Sequence, residues 1–432
     1  MRKQRLKFAG SPVLPSLALL AATCTQLTNA RAQTSEPAAP PVQLDNAHGA
    51  IAGSTRFIGL GGAFVAIADD SEGVAINPAS VALRLPYSWS AWDYGFGVDF
   101  AVGSFLPKND LYNRAGQNGV GKSSALFGSL AAVVYYDYAG VGVSAEAQSN
   151  AASNQSQTQG INTDLAANFG MVHASLAYGF FDGQVLLGAG PRVVGLSFDR
   201  QSSGSGPLST AGVGYEAGVV YKPTVQQYRL AATVKSPIDA RVSAGGAEPS
   251  TVHVPWEMAF GFAYQLGSRP LNPPFVTAAD FARHGSVAPK PSKAELAAAE
   301  QQLFERYQRQ QRWYLLVSAQ ISLSESDGDH VGVERYWNGR EDVAPQPVVS
   351  PRVGMETEVV PHWLRLRGGS YYESARRGVS AARVHGTGGM DIKLFEWNVF
   401  GLAKPFDYFQ LSLAADAARS YLNTSFSIGF WH

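Results

Sequence analysis

The sequence predicts an all-β chain, a transmembrane antiparallel β-barrel of about 14 strands. Three observations carry that prediction: apolar residues alternate with small or polar ones in many short runs, aromatic residues gather at the short turns, and short connections alternate with long polar ones. Composition agrees. Charged residues are 16% of the 432, aromatics 11%, and glycine supplies 45 positions, which suits half-buried strands and tight turns.

The alternation is explicit in five runs. Val172, Ala174, Leu176, Tyr178 and Phe180 oppose His173, Ser175, Ala177 and Gly179; Val213, Tyr215, Ala217, Val219 and Tyr221 oppose Gly214, Glu216 and Gly218. Tyr228, Leu230, Ala232 and Val234 oppose Arg229, Thr233 and Lys235. Trp256, Met258, Phe260, Phe262 and Tyr264 oppose Glu257, Gly261 and Gln265, and Trp313, Leu315, Val317, Ala319 and Ile321 oppose Ser318 and Gln320. Charge sits on one face only. A soluble sandwich would alternate as well. The placement of Tyr135, Tyr136, Tyr138, Tyr178, Phe180, Tyr221, Tyr228 and Trp363 at short turns favours an interfacial girdle.

Connections near Asp137, Asp182, Pro223 and Pro361 are short, whereas those near 106–123, 149–164, 199–209, 237–250, 324–349 and 374–383 are long and polar. The strands between them fall near 87–105, 124–136, 139–148, 165–180, 184–198, 210–221, 227–236, 251–266, 312–323, 350–360, 363–373, 384–394, 407–416 and 421–431. An even count places both ends on the periplasmic side. One connection breaks the pattern: residues 267–311 form a periplasmic helical insertion. There Ser292 and Glu295 make a capping box, and Leu296, Ala299, Leu303 and Tyr307 an apolar stripe. That helix either packs against the barrel rim or docks a periplasmic partner.

The N-terminus has the order of a signal peptide over residues 1–32: basic residues to Lys7, an apolar run from Val13 to Ala22, and Ala30-Arg31-Ala32 as cleavage site. The only cysteine, Cys24, lies inside it, so no disulfide framework is expected. Residues 33–45 read as a flexible linker. Five of the 34 basic residues lie in 1–32 with no acidic ones, so residues 33–432 carry 29 against 34, a net charge of −5. This does not invite nucleic acid. No run of about 18 apolar residues follows the signal, which excludes membrane helices but not barrel strands.

The stretch IGLGGAFVAIADDSEGVAINPAS, residues 58–80, contains Gly59, Gly61 and Gly62. A dinucleotide loop would need a preceding strand and a following long helix, and AIAGSTRF is no such strand. With Arg56, Leu60, Ala63, Phe64, Ala66, Asp69, Asp70 and the closing Asn77-Pro78-Ala79, the stretch resembles the N-terminal plug of the FadL/TodX-like family of outer-membrane transporters of long-chain fatty acids and hydrocarbons, along with their PorV-like relatives. The resemblance implies a hatch, residues 46–82, inside a fourteen-stranded barrel, residues 83–432, in the outer membrane of a Gram-negative bacterium. The segments PWEMAFGFAY and SPRVGMETEVVPHWLRLRGGSYYE look like strand pairs of the family.

Glycine permits close approach of a compact plug, and Pro78 forces Asn77 out of the α region while the Asn77 side chain can bond local backbone. The candidate hatch residues are thus Gly59, Gly61, Gly62, Asp69, Asp70, Asn77, Pro78 and Ala79. Asp69 and Asp70 are expected to cap a helix or pair with lumen bases. The lumen charge candidates are Arg229, Arg352, Arg365, Arg367, Glu216 and Glu257, with Glu356 and Glu358 as further balancing acids.

The expected function is passive uptake of a hydrophobic small molecule through a greasy lumen pocket, gated by the hatch. The alternative is a PorV-like scaffold for surface-protein export. No cofactor or metal is implied. Partners beyond the small molecule are outer-membrane lipid and, during insertion, the barrel-assembly machinery, whose terminal-strand signature YLNTSFSIGFWH is similar to, with His432 where an aromatic residue is usual. No G-x-S-x-G elbow or H-E-x-x-H pair suggests an enzyme, and His173 reads as a satisfied lumen group.

Overall fold

The computed structural model describes residues 42–43, 51–84, 88–102, 123–155, 162–200, 208–241, 251–283, 291–309, 313–324, 331–332, 348–374, 382–396 and 408–431. The signal peptide, most of the linker and most residues of the long polar connections lie outside them.

Fourteen antiparallel strands close into a barrel. In chain order they are β1 (Trp92–Val102), β2 (Ser123–Tyr136), β3 (Ala139–Gln155), β4 (Asn162–Phe180), β5 (Val185–Arg200), β6 (Leu208–Tyr221) and β7 (Tyr228–Lys235). The other half comprises β8 (Glu257–Gly267), β9 (Tyr314–Ser324), β10 (Val348–Val360), β11 (Leu364–Glu373), β12 (Arg383–Glu396), β13 (Tyr408–Ala418) and β14 (Tyr421–Trp431). Each strand pairs with its neighbours in sequence, and β14 closes onto β1.

The dyad period sets the two faces. Leu176, Tyr178 and Phe180 of β4 face outward, as do Met258, Phe260, Phe262 and Tyr264 of β8, while His173, Ser175, Ala263 and Gln265 are buried. An apolar outer wall around a closed hydrogen-bonded ladder is the arrangement that spans a bilayer by strands, because every backbone group is paired inside the sheet. The protein is an outer-membrane β-barrel. At the turn end Trp92 and Tyr136 are exposed with ring centroids 4.6 Å apart, and Trp313 and Trp363, just before β9 and β11, are exposed as well. Tyr135 is not part of that girdle. It is fully buried, because it is one residue out of phase with Tyr136 and so points inward, under the Arg84 guanidinium.

The short turns use left-handed residues. Asp137, Phe181, Asp182 and His362 have φ between 52° and 62°, and Gly183 completes the Phe181-Asp182 turn at 74°.

The seventh and eighth strands are shorter than the alternation suggests. The chain leaves the wall after Lys235 and returns at Glu257. Pro237 and Pro255 explain the breaks, since neither can donate to a ladder. Between them Ile238–Arg241 and Thr251–Val254 pair with each other, and with Val42–Gln43 and Val331–Gly332 they form a separate four-stranded sheet.

The described residues between β8 and β9, 268–283, 291–309 and 313, lie at the end of the barrel that carries the short turns. They hold α2 (Ala278–Ala282) and α3 (Lys293–Arg309). The Ser292 and Glu295 box is made: Ser292 N–H donates to Glu295 at 2.7 Å, and Glu295 N–H to Ser292 Oγ at 3.3 Å. Ala299 and Leu303 are buried with Ala278 against Leu296, Phe281 and Trp89, and Phe304 meets the Trp89 ring edge-on. The helix therefore packs on the chain just before β1. Tyr307, the fourth residue of the stripe, has a side chain outside the described set.

Candidate functional site

Residues 51–83 lie within the barrel. Their atoms meet inward glycines on strands all round the wall: Gly95 and Gly97 of β1, Gly140 and Gly142 of β3, Gly188 of β5, Gly218 of β6, Gly261 of β8, Gly354 of β10, Gly369 of β11 and Gly389 of β12. Phe57, Ile58, Leu60, Phe64, Ile67, Val74, Val81 and Leu83 are its buried apolar residues.

The segment begins with α1 (Thr55–Gly59), capped by Ser54, whose Oγ accepts from Phe57 N–H at 3.2 Å. Gly61 and Gly62 then turn the chain with φ of 61° and 72°, a region costly for any side chain. A Cβ on Gly61 would also sit 2.7 Å from Ser370 N. Gly59 accepts a bond from Thr387 Oγ1 at 3.1 Å.

Asp69 pairs with Arg56, thirteen residues earlier in the same segment. This differs from the lumen bases proposed as its partners. Arg56 also donates to both oxygens of Glu356, at 2.9 and 3.1 Å. Glu356 accepts from Arg367 Nε at 2.6 Å and from the Tyr314 hydroxyl at 2.9 Å, and Arg367 in turn holds Asp391 through both guanidinium nitrogens. One buried network thus ties α1 to β9, β10, β11 and β12. Such fork-to-carboxylate bonds are strong and directional.

The remaining lumen charges separate. Arg365 lies 3.9 Å from Asp391, at the edge of this network. Arg352 stands over the Phe57 ring at 5.9 Å, with its guanidinium against Gly62. Arg229 donates to the Ile67 carbonyl at 3.1 Å, to Asn272 Oδ1 at 2.8 Å and to the Leu271 carbonyl at 2.8 Å, so it joins the N-terminal segment to the 267–311 insertion. Glu216 belongs to a different group: it accepts from His173 Nδ1 at 2.9 Å and from Ser175 Oγ at 3.3 Å. Glu257 opens β8 opposite Lys235 and Ser324.

Asp70 does not cap the short 3-10 turn Ser71–Gly73 through its side chain; its Oδ1 packs on the inward face of Gly95. Asp70 and Ala68 both hold positive φ, at 60° and 32°. The segment ends in a second 3-10 turn, Pro78–Ala82, entered through Asn77 in the extended region with φ −145° and ψ 113°. Asn77 Oδ1 accepts from Ala79 N–H at 3.0 Å, and its Nδ2 donates to the Val65 carbonyl at 3.2 Å. Pro78 and Ala79 press on Gly188: a Cβ there would be 2.4 Å from the Pro78 oxygen and 2.6 Å from Ala79 N.

A cavity of about 80 Å³ lies at the turn end, under residues 69–72, bordered by Arg269, Pro270 and Leu271 of the insertion. It is polar, lined by Arg56, Asp69, Glu72, Asp99, Arg229, Glu356 and Asp391 among others. This corrects the expectation of a greasy pocket in this part of the lumen. The inward positions of β8, β10, β11 and β12 here carry Gln265, Glu356, Arg365 and Asp391, while β9 presents Tyr314 and Leu316.

Sequence reasoning missed a further cluster. His385 is fully buried between Asp416, 2.8 Å from Nδ1, and Glu373, 2.8 Å from Nε2. Tyr371 stacks on the His385 ring, donates to Asp416 at 2.7 Å and accepts from Ile51 N–H at 3.2 Å. The available signal was parity, since Tyr371, Glu373, His385 and Asp416 all fall on inward positions of their strands.

No family model and no curated protein matches the chain. Solved structures do. A TodX monoaromatic hydrocarbon channel, a deltaS2S3 mutant, superposes with a TM-score of 0.52 and 13% identity, covering 87% of this chain and 98% of that one. The CymD monoaromatic hydrocarbon channel gives 0.50 and 12%, over 88% and 97%. The chain has a TodX-like fold. A FadL homologue from Pseudomonas aeruginosa is also similar, with a TM-score of 0.49 and 12% identity over 89% of this chain and 98% of that one. In the TodX-like barrel described here, inward glycines lie against both ends of the segment, Gly354, Gly369 and Gly389 beside α1 and its turn and Gly188 and Gly218 beside the Asn77-Pro78-Ala79 elbow, whereas the inward ion pairs hold α1 alone among the described residues.

Proposed function

We propose that this protein lets small hydrophobic molecules cross the outer membrane without an energy source, and that residues 46–82 act as its hatch. The observation that carries this reading is the occupied lumen: a TodX-like barrel whose N-terminal segment is packed against inward glycines on most of its strands. A permeant must displace part of that segment or leave through the wall before reaching it. The similar structures named as hydrocarbon channels support a hydrophobic permeant.

The driving force is partition. Each methylene taken from water gains about 0.8 kcal/mol, so a molecule with few polar groups leaves water for the barrel unaided and needs no cofactor. In the reading proposed here Gly59, Gly61 and Gly62 let the hatch approach the wall, Asp69 with Arg56 fixes its charged end, and Asn77, Pro78 and Ala79 fix the other. Arg229 couples the hatch to the periplasmic insertion.

The PorV-like scaffold draws no specific support from the insertion, since the apolar residues Leu296, Ala299 and Leu303 already pack on Trp89 and Phe281.

The test is uptake by vesicles of a fluorescent long-chain acid and a neutral hydrocarbon probe, with the wild type, with the Asn77→Ala and Pro78→Ala double variant, and with no protein. The channel reading predicts wild-type uptake above empty vesicles and an altered rate in the double variant. Uptake of neither probe by a correctly folded barrel would overturn it.

A further inference from the structure

The separate four-stranded sheet is joined through one of its shortest pieces. Its order is Val331–Gly332, Val42–Gln43, Thr251–Val254, Ile238–Arg241, so the chain between β9 and β10 meets the chain between β7 and β8 only through the N-terminal strand. Val42 and Gln43 run parallel to Val252 and His253 on one side and to Val331 and Gly332 on the other. Among the described residues Val331–Gly332 has no other partner strand.

Both connections belong to the end opposite the short turns, because β7 and β9 run away from those turns. The Ile238–Arg241 strand sits on the lumen side of the wall. Ile238 is buried on inward glycines of β6: a Cβ on Gly212 would be 2.4 Å from Ile238 Cγ2, and one on Gly214 2.6 Å from Ile238 Cγ1. Just before it, Ser236 N–H donates to the Tyr215 carbonyl at 2.8 Å, and Arg192 of β5 donates to the Ser236 carbonyl at 2.7 Å. One edge of the sheet is therefore fixed to the wall. The join to the other edge is Val42–Gln43.

That join is short for a reason visible in the sequence. Pro40 and Pro41 precede Val42, and proline has no N–H to give a ladder, so the strand cannot lengthen in that direction. Two residues make few ladder bonds. The same chain is next anchored at Ile51, whose N–H donates to the Tyr371 hydroxyl at 3.2 Å.

We infer that Val42–Gln43 is a clasp: it ties the paired strands Ile238–Arg241 and Thr251–Val254 to the chain at Val331–Gly332, and so closes a lid over the outer half of the lumen. Releasing the clasp parts the lid into its two connections and exposes the lumen above residues 51–83 to the outside. This goes beyond the channel reading and stands independently of what the barrel passes.

The test reads access rather than transport. Ser144 of β3 lies level with the root of the lid, in a row of paired residues that runs through His173 and Arg192 to Gly214. It is buried and its Oγ makes no hydrogen bond, so Ser144→Cys removes none. Intact cells carrying Ser144→Cys in a Cys24→Ser background are treated with a bulky, membrane-impermeant maleimide, with and without Val42→Pro and Gln43→Pro together, which remove the ladder donors of the clasp. Labelling of a buried thiol follows the population in which its cover is open, so the proline variant should label about tenfold faster. Ser427→Cys, buried near the turn end, is the control and should label no faster in the proline variant. Heat-dependent gel mobility confirms that each barrel is folded. A Val42→Cys and Val331→Cys pair, at paired positions, should cross-link on oxidation of the folded protein. Equal labelling of Ser144→Cys with and without the prolines, a matching rise at Ser427→Cys, or no cross-link would each overturn the clasp. Absence of probe uptake by vesicles counts against the channel reading alone and leaves these outcomes unchanged.

Discussion

The two ends of the N-terminal segment are held in the lumen by different physics. At the first end α1 is tied to the wall by ionised groups: Arg56 to Glu356, Glu356 to Arg367, Arg367 to Asp391. At the other, the Pro78–Ala82 turn is pressed on glycines and held by Asn77, with no ion pair of its own among the described residues. Buried ion pairs give position but little net stability, because desolvation consumes most of the attraction, whereas backbone packed on bare glycine leaves no room to move. The first end has glycine contacts as well, with Leu60 and Gly61 close on Gly354 and Gly369, so the ion pairs are what distinguish it. In the hatch proposed above, the charged end is the part proposed to release.

The largest effect should follow from breaking the charged end. Glu356→Ala leaves Arg56 and Arg367 buried beside each other without their shared carboxylate, and removing one partner of such a group costs about 3–5 kcal/mol. The barrel should still show heat-dependent mobility, while protease cuts the N-terminal segment faster than in the wild type. Next comes overpacking at the other end. A Cβ on Gly140 would lie 1.5 Å from the Val81 carbonyl oxygen, so Gly140→Ala must push the turn inward at a cost of about 1–3 kcal/mol, read as a lower thermal midpoint. Asn77→Ala removes the cap of that turn and should lower the midpoint by less, about 1 kcal/mol.

The smallest effect lies outside the lumen. The Ser292 backbone N–H and hydroxyl hold the Glu295 carboxyl below its ordinary value. A depressed carboxylate stabilises α3 above the ordinary value near 4.5 and loses that contribution as pH falls through the lowered one. Acidification below that point should therefore raise amide exchange at the start of α3 before it affects the strands.

Much of the barrel was legible because period-two alternation survives without any tertiary information. The inward placement of His173, Glu216 and Gln320 follows from it directly, as does the Asn77-Pro78 elbow from the restriction that proline puts on its predecessor. The partners were not legible. Asp69 lies beside Arg56 because α1 and the Gly61-Gly62 turn fold the chain back on itself, and no periodicity encodes that return. The row Gly140, Gly142, Gly188 and Gly218 was visible as inward glycine in three strands, yet its meaning required knowing that backbone would approach there. The separate four-stranded sheet escaped notice because its strands are two to four residues long; Pro237 and Pro255 were the only signals.

The most direct measurement locks the charged end reversibly. A Cβ on Gly59 would sit 3.7 Å from Ala414 Cβ, within the range of a disulfide, so Gly59→Cys with Ala414→Cys in a Cys24→Ser background can tether α1 to β13. Uptake of the fluorescent acid by vesicles should stop on oxidation and return on reduction. Equal uptake in the bridged and reduced states would contradict a hatch that opens at its charged end.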